Sequence, residues 1–133
     1  MTESRIAPND VVSARTPRPL ADTSLLFKLE PEIQMLRSEE VWHLHGHNAR
    51  TLVKQDEFRV VLISLRPGAK IREHETYHSI LLHALQGRLN LRVQEQPITL
   101  SAGELLALDR MVSHDIDALE DSAFLMTVGW SVD

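Results

Sequence analysis

The chain has 133 residues, the usual size of one domain, and this length can bury a core without disulfides or a structural metal. It contains no cysteine, so any chemistry must come from histidine, carboxylate, hydroxyl or lysine groups. Asp and Glu number 19 against 14 Lys and Arg, for a formal net charge of −5. Because the basic residues are also scattered, the composition argues against binding to nucleic acid.

Residues 1–20 are predicted to form a flexible tail. Pro8, Pro17 and Pro19 lie among small polar and charged residues, so this stretch can hold neither a regular helix nor a central strand. No apolar run near the N-terminus has the length of a signal peptide or a membrane span. We therefore expect a cytoplasmic protein that does not contact a membrane.

Residues 21–47 are predicted to form an arm that carries one short helix. From Leu29 to Arg37 the chain has an amphipathic pattern, with Ile33 and Leu36 on one side and Pro31 tolerated in the first turn. Two glutamates stand beside the positive end of this helix, where the helix dipole stabilises them. We expect the helix to lie against the domain that follows.

Three histidines lie at the C-terminal end of this arm. On a strand, His43, His45 and His47 would lie on one face and could chelate an ion. Gly46 and Asn48 instead indicate a turn into the following domain, in which case the histidines would be solvated and bind metal only adventitiously. The sequence leaves the role of these histidines open.

Residues 48–133 are predicted to form an all-β barrel domain. Apolar and alternating runs recur between glycine, proline and short polar turns, and no helix-period segment separates them, which favours an antiparallel barrel over parallel βαβ units. Two of the runs, FRVVLISL and AFLMTVGW, are apolar on both faces and should be buried on both. The predicted strands are 58–65, 79–85, 89–93, 104–109, 115–119 and 123–130.

Glycines and histidines in this domain follow a regular spacing. Gly68 precedes His74 by six positions, Gly87 follows thirteen positions later, and Gly103 precedes His114 by eleven. This pattern resembles the two sequence motifs of the cupin superfamily. The stretch from Gly103 to Trp130 is similar to small bacterial single-domain cupins. The resemblance implies a cupin double-stranded β-helix, which is a jelly-roll-like antiparallel barrel, and a homodimer formed through an edge strand and the N-terminal segment.

The departures from the cupin motifs bear on function. Thr76 and Ile80 stand where metal-binding cupins have their second histidine and their glutamate. Asp109 and Met111 replace the usual proline and glycine of the second motif. Of the family's metal ligands, the resemblance therefore carries over only His74 and His114.

His78 is a candidate third metal ligand. On an extended backbone it would share a face with His74, Thr76 and Ile80. These four residues together with His114 form the predicted ligand pocket. The set His74, His78 and His114 would suit one divalent ion, namely iron, manganese, nickel or zinc, with coordination positions left open. If residues 75–77 form a turn, the alternation no longer predicts that His78 shares a face with His74.

Three functions remain open on the sequence alone. The first is a module that binds or senses a small polar ligand between His74 and His114 without catalysis. The second is a metal-dependent enzyme, an oxygenase or isomerase of a small organic molecule, that uses the three histidines. The third is a scaffold whose arm contacts a protein partner. One fold hosts many functions, so membership in a superfamily does not choose among them.

Overall fold

The structure, a computed structural model, describes residues 24–73 and 77–129. The predicted tail over residues 1–20 and the predicted strand residue Trp130 lie outside the described residues. In the part of the chain that is described, no helix has the length and apolar character needed to cross a membrane.

Two short helices precede nine strands. Helix α1 spans Leu29–Ser38 and α2 spans Glu40–His45. The strands are β1 (His47–Lys54), β2 (Phe58–Leu65), β3 (Lys70–Glu73), β4 (Ser79–Gln86), β5 (Arg88–Val93), β6 (Gln96–Ser101), β7 (Leu105–Leu108), β8 (His114–Ala118) and β9 (Ser122–Gly129).

The strands form two antiparallel sheets. The first has the order β1-β2-β9-β4-β7 and the second the order β3-β8-β5-β6. Consecutive strands pair in β1–β2 and in β5–β6, whereas other neighbours are distant in sequence, as when β2 pairs with β9 from Phe58 opposite Gly129 to Leu65 opposite Ser122. The main core is formed by side chains of both sheets, among them Val61, Leu89 and Phe124, each fully buried. The predicted all-β class is confirmed.

The six predicted strands and the predicted helix are present, with bounds shifted by at most two residues. Helix α2 and the strands β1, β3 and β6 were not predicted. Strand β6 contains Pro97, but it is the edge strand of its sheet, where a missing N–H costs no ladder hydrogen bond. The β5–β6 hairpin turns on Gln94 and Glu95 at φ 49° and 71°. The polar stretch at residues 94–97 was predicted as a turn, but positive φ at both positions is usually supplied by Asn-Gly, and this turn has neither residue.

Helix α1 covers the outer face of the first sheet. Its Ile33 and Leu36 pack with Leu52, Leu62 and Ala123, all of them buried. This contact explains why β2 and β9 are apolar on both faces, because one face lines the barrel and the other lies under the helix.

A buried polar cluster fastens the helices to β1. Arg50 donates hydrogen bonds to Glu32 over 2.8 Å and to Glu39 over 2.9 Å, and its side chain is 3% exposed. Asn48 donates to the carbonyl of Leu36 over 3.0 Å and to Glu39 over 2.8 Å. These bonds offset the cost of burying the polar groups and fix the arm against the barrel.

Candidate functional site

Burial along the central strands of the first sheet differs between the two ends of the barrel. In β2, burial is complete from Val61 to Leu65 but partial from Phe58 to Val60. The paired strand β9 has the matching gradient, from buried Ser122 to partly exposed Gly129. We call this partly exposed end of the barrel, near Phe58 and Gly129, the open end or the opening. Residues that face inward there lie nearest to solvent.

His114 is the buried polar residue of this end. It begins β8 and shares the inward side of that strand with Ile116 and Ala118. Its Nδ1 atom lies 3.1 Å from the carbonyl oxygen of Val112. Because a carbonyl oxygen can only accept a hydrogen bond, Nδ1 carries the proton. Nε2 then has a free lone pair, and it is buried without a hydrogen-bond partner among the described residues.

The protonation state of His114 follows from its burial. Burial lowers the pKa of His114, while the bond to the Val112 carbonyl and the charge of Asp115 act in the opposite direction. The net effect favours the neutral imidazole. A neutral ring with Nδ1–H fixed can accept a hydrogen bond, or bind a metal ion, through Nε2.

Arg59 and His78 lie at the same opening. Arg59 has the inward parity of Val61, pairs with Val128 of β9, and its Nε atom is buried. His78 precedes β4 with the parity of inward-facing Ile80. Burial first, and the charges of Arg59 and of exposed Arg110 next, lower the pKa of His78. Positive charge therefore acts on His78 at this end, whereas the negative charge of Asp115 acts on His114.

The inner wall next to these groups is mostly apolar. Ile80 and Val128 lie opposite each other on β4 and β9, and Met126 lies one inward position deeper. Thr51 pairs with Val61 on the barrel side of β1 and is 4% exposed. Its Oγ1 is a second buried polar atom that lacks a hydrogen-bond partner within the described ranges.

The predicted pocket is only partly described. Ile80 and His114 are inward-facing residues near one end of the barrel, His78 lies just before Ile80, and His74 and Thr76 lie outside the described residues. Tyr77 and His78 form a bend before β4. Strict alternation through this stretch, the basis on which His78 was grouped with His74, is therefore not tested.

The donor set that the described residues offer to a metal ion is incomplete. His114 fits the role of one ligand, since its Nε2 lone pair is free and its ring is oriented by Val112. Ile80 has no donor atom. The pKa of His78 is lowered first by burial and next by the charges of Arg59 and Arg110, and those charges would also repel a cation. Within residues 24–73 and 77–129, no three His, Asp or Glu side chains are grouped to hold a metal ion.

Two inner-face residues were missed in the sequence, Arg59 and Thr51. The signal for Arg59 was available, because alternation from Val61 and Ile63 places it on the inner face of β2. Thr51 gave a weaker signal, since a bulge between Thr51 and Val53 shifts the register of β1.

The arm histidines do not form one face. His43 and His45 are exposed on α2, and His47 begins β1 after Gly46 ends the helix in the left-handed conformation at φ 76°. The turn predicted at Gly46 is confirmed. The rings of His45 and His47 stack with centroids 6.0 Å apart. Burial, and next the charge of His45, lower the pKa of His47.

The fold is that of known cupins. A conserved protein of unknown function from Streptococcus pyogenes aligns with a TM-score of 0.70 at 18% identity, over 91% of this chain and 100% of that one. A cupin superfamily protein from Desulfitobacterium hafniense aligns with a TM-score of 0.68 at 19% identity, over 88% of this chain and 100% of that one. The chain therefore has the cupin fold, as its glycine and histidine spacing predicted.

The fold is shared with an enzyme as well. Salicylate 1,2-dioxygenase from Pseudoaminobacter salicylatoxidans aligns with a TM-score of 0.69 at 14% identity, over 77% of this chain and 34% of the enzyme. No protein-family model and no curated protein matches the sequence. At these identities the similarity establishes architecture alone, and function must be argued from the residues at the open end.

Proposed function

We propose that the protein is a binding or sensing module that takes up a small organic molecule at the open end of its barrel. The observation that carries this proposal is the buried Nε2 of His114, which has a lone pair and no partner among the described residues. An unsatisfied buried acceptor costs about 1–3 kcal/mol. A ligand that donates a hydrogen bond to Nε2 would remove this cost.

Two further features support a ligand at this place. The side chains at the opening combine an apolar wall with a few polar groups, which is the usual composition of a small-molecule site. The inward-facing residues Arg59 and Val128, and His78 beside them, are only partly buried, so a molecule can reach them from solvent.

The proposal is tested by a fragment screen read by melting temperature and by ¹H–¹⁵N NMR. The variant His114→Asn is the sharpest probe, because an asparagine amide can still donate to the Val112 carbonyl but lacks an equivalent of Nε2. His83→Asn is the matched control, since His83 is exposed on the outer face of β4. We expect ligands that stabilise the wild type and the His83 variant but not the His114 variant. A folded wild type that no fragment stabilises would refute the proposal.

A metal-dependent oxygenase or isomerase is the second candidate function. The observation that favours it is the bond from Nδ1 of His114 to the Val112 carbonyl, since metal-ligating histidines commonly fix their tautomer in this way. His114, His78 and His74 would then hold one iron, manganese, nickel or zinc ion. Elemental analysis of untagged protein tests this candidate. About one equivalent of metal, lost in His114→Asn and in His74→Ala but kept in His83→Asn, would favour the enzyme.

A further inference from the structure

Part of the outer surface of the first sheet is apolar and exposed. Leu81 and Leu105 are 41% and 61% exposed there. Cross-strand pairing places Leu105 opposite His83 and Ala107 opposite Leu81, so these four outward-facing residues form one patch across β4 and β7. We call this patch the β4–β7 face. One of its two rows continues onto β9 through Leu125, which lies opposite His83.

The outer surface of the second sheet has the opposite character. Arg72 and Arg92 both pair with Asp115, and Lys70 lies opposite Asp117 with its Nζ atom 3.4 Å from the carboxylate. Charged side chains of this kind are expected on a sheet surface that faces water. An exposed apolar patch instead marks a surface on which another segment packs. We therefore expect the β4–β7 face to have an occupant.

The described chain begins beside this face. Residues 24–29 alternate between exposed and partly buried side chains, which is the period of an extended chain that lies on a surface. Phe27 packs against the same buried cluster as Leu85 of β4. Glu30 accepts a hydrogen bond from Gln86 of β4 over 2.9 Å. The chain therefore enters helix α1 over the C-terminal end of β4, at the border of the β4–β7 face.

Residues 1–23 precede this point and contain apolar side chains that could cover the face. Val11, Val12 and Leu20 are the large aliphatic residues nearest to it in sequence. The face and its border extend for about 13 Å along β4, and an extended chain spans roughly 3.3 Å per residue, so all three can reach it. Pro17 has no N–H, which disfavours regular strand addition at the edge of β7. Packing of side chains on the face of a sheet needs no such hydrogen bonds.

We infer that residues 1–23 pack on the β4–β7 face of their own chain. Leu20 and the two valines contact Leu81 and Leu105. The same chain is the favoured source, because tethering gives the segment a far higher effective concentration at the face than a second molecule has in a dilute sample. This packing removes apolar surface from water and withholds the face from other chains. The inference does not depend on a ligand at the open end of the barrel, so it and the proposed function can fail separately.

The first experiment measures where the segment lies. The chain has no cysteine, so Ser13→Cys provides a single attachment site for a nitroxide spin label beside the two valines. Paramagnetic broadening is recorded in ¹H–¹⁵N spectra of the full chain. We expect loss of signal for amides of β4 and β7 and intact signals for β5 and β6 of the second sheet.

A mixed sample distinguishes the same chain from a second copy. It combines ¹⁵N-labelled chains that lack the nitroxide with unlabelled chains that carry it, so only contacts between molecules broaden the signals. We expect no loss of signal in this sample.

The second experiment measures cleavage by trypsin after Arg15, which lies inside the segment. Leu105→Glu places a charge on the β4–β7 face and should raise the cleavage rate roughly tenfold or more, the effect of losing one buried leucine on the docked population. Leu44→Glu is the matched control. Leu44 is 67% exposed on α2, which contacts β1 at the opposite edge of the first sheet from β7. This variant should be cleaved at the wild-type rate.

Each result supports or overturns the inference. Broadening of β4 and β7 within one chain, with faster cleavage in Leu105→Glu but not in Leu44→Glu, would support it. Broadening in the mixed sample would assign the segment to a second copy and overturn the placement on its own chain. Intact β4 and β7 signals in the spin-labelled protein, or equal cleavage rates in wild type and folded Leu105→Glu, would overturn the docking itself. The broadening needs no change within the face, so it decides the question even if Leu105→Glu fails to fold.

Discussion

Replacing Gly87 with alanine tests how closely the β4–β5 turn is packed. Gly87 has φ +79°, a conformation that costs an L-residue roughly 1–2 kcal/mol. A Cβ atom at this position would also overlap the Asp121 carbonyl oxygen and Ser122 Oγ, and would lie 2.8 Å from Ser122 Cα. Backbone atoms cannot rotate away from this overlap, so the β8–β9 turn would have to move.

Movement of Ser122 has a further cost. Its buried hydroxyl has one hydrogen, which the carbonyl oxygens of Glu120 (2.8 Å) and Arg88 (3.1 Å) share as acceptors, and it accepts from the N–H of Arg88 over 3.1 Å. Loss of partners for a buried hydroxyl costs about 1–3 kcal/mol. With the conformational cost added, we expect Gly87→Ala to lower the free energy of unfolding by about 3–4 kcal/mol.

The assay is urea denaturation followed by circular dichroism, with Gly103→Ala as the matched control. Gly103 has φ +91°, but a Cβ there would meet no atom within 4 Å. This variant should therefore lose only the conformational part, roughly 1–2 kcal/mol. Equal losses in the two variants would refute the view that close packing against Ser122, rather than backbone conformation alone, requires glycine at position 87.

Three other predictions concern the arm, the second motif and acid stability. Arg50→Ala should lower the free energy of unfolding by about 3 kcal/mol, because it leaves Glu32 and Glu39 without their buried counter-charge; an unchanged denaturation midpoint would contradict this. Met111→Gly should raise the free energy of unfolding by up to about 1 kcal/mol, and with it the melting temperature, because Met111 has φ 66° and a half-exposed side chain. A lower melting temperature would show that the methionine side chain contributes more stability than its backbone conformation costs. Burial lowers the pKa of His114, so the unfolded chain takes up a proton before the native protein does, and stability should fall as the pH drops below the ordinary histidine value of 6.5. Urea titrations in the presence of EDTA at pH values between roughly 5 and 8, the range over which histidine titrates, test this. The change in the free energy of unfolding with pH should be smaller in His114→Asn.

Met111 illustrates how a motif departure is accommodated. The resemblance to cupins places a glycine at this position, and the chain keeps the glycine-like backbone with a methionine in its place. The fold therefore survives the substitution at a conformational cost. A backbone conformation can persist where the side chain that would favour it has been lost, because the strands on either side determine the turn.

The sequence by itself determined the β-rich class, helix α1 and the position of most strands. Alternation in LNLRV and the apolar runs FRVVLISL and AFLMTVGW are local patterns, and each depends only on which faces of one element are buried. The glycine and histidine spacing then identified the cupin architecture. It also selected His114, although it could not reveal that Nε2 of this residue is buried without a hydrogen-bond partner in the part of the chain that the structure describes.

Only the tertiary structure decided which side chains share the barrel interior with His114. Arg59 and Thr51 belong to strands far from His114 in sequence, and they share the barrel interior only because β2 pairs with β9 while β8 pairs with β5 in the facing sheet. Edge position likewise decided that Pro97 could lie in a strand. Local patterns record which face of an element is buried, whereas the identity of the groups that meet inside a barrel depends on non-local strand pairing.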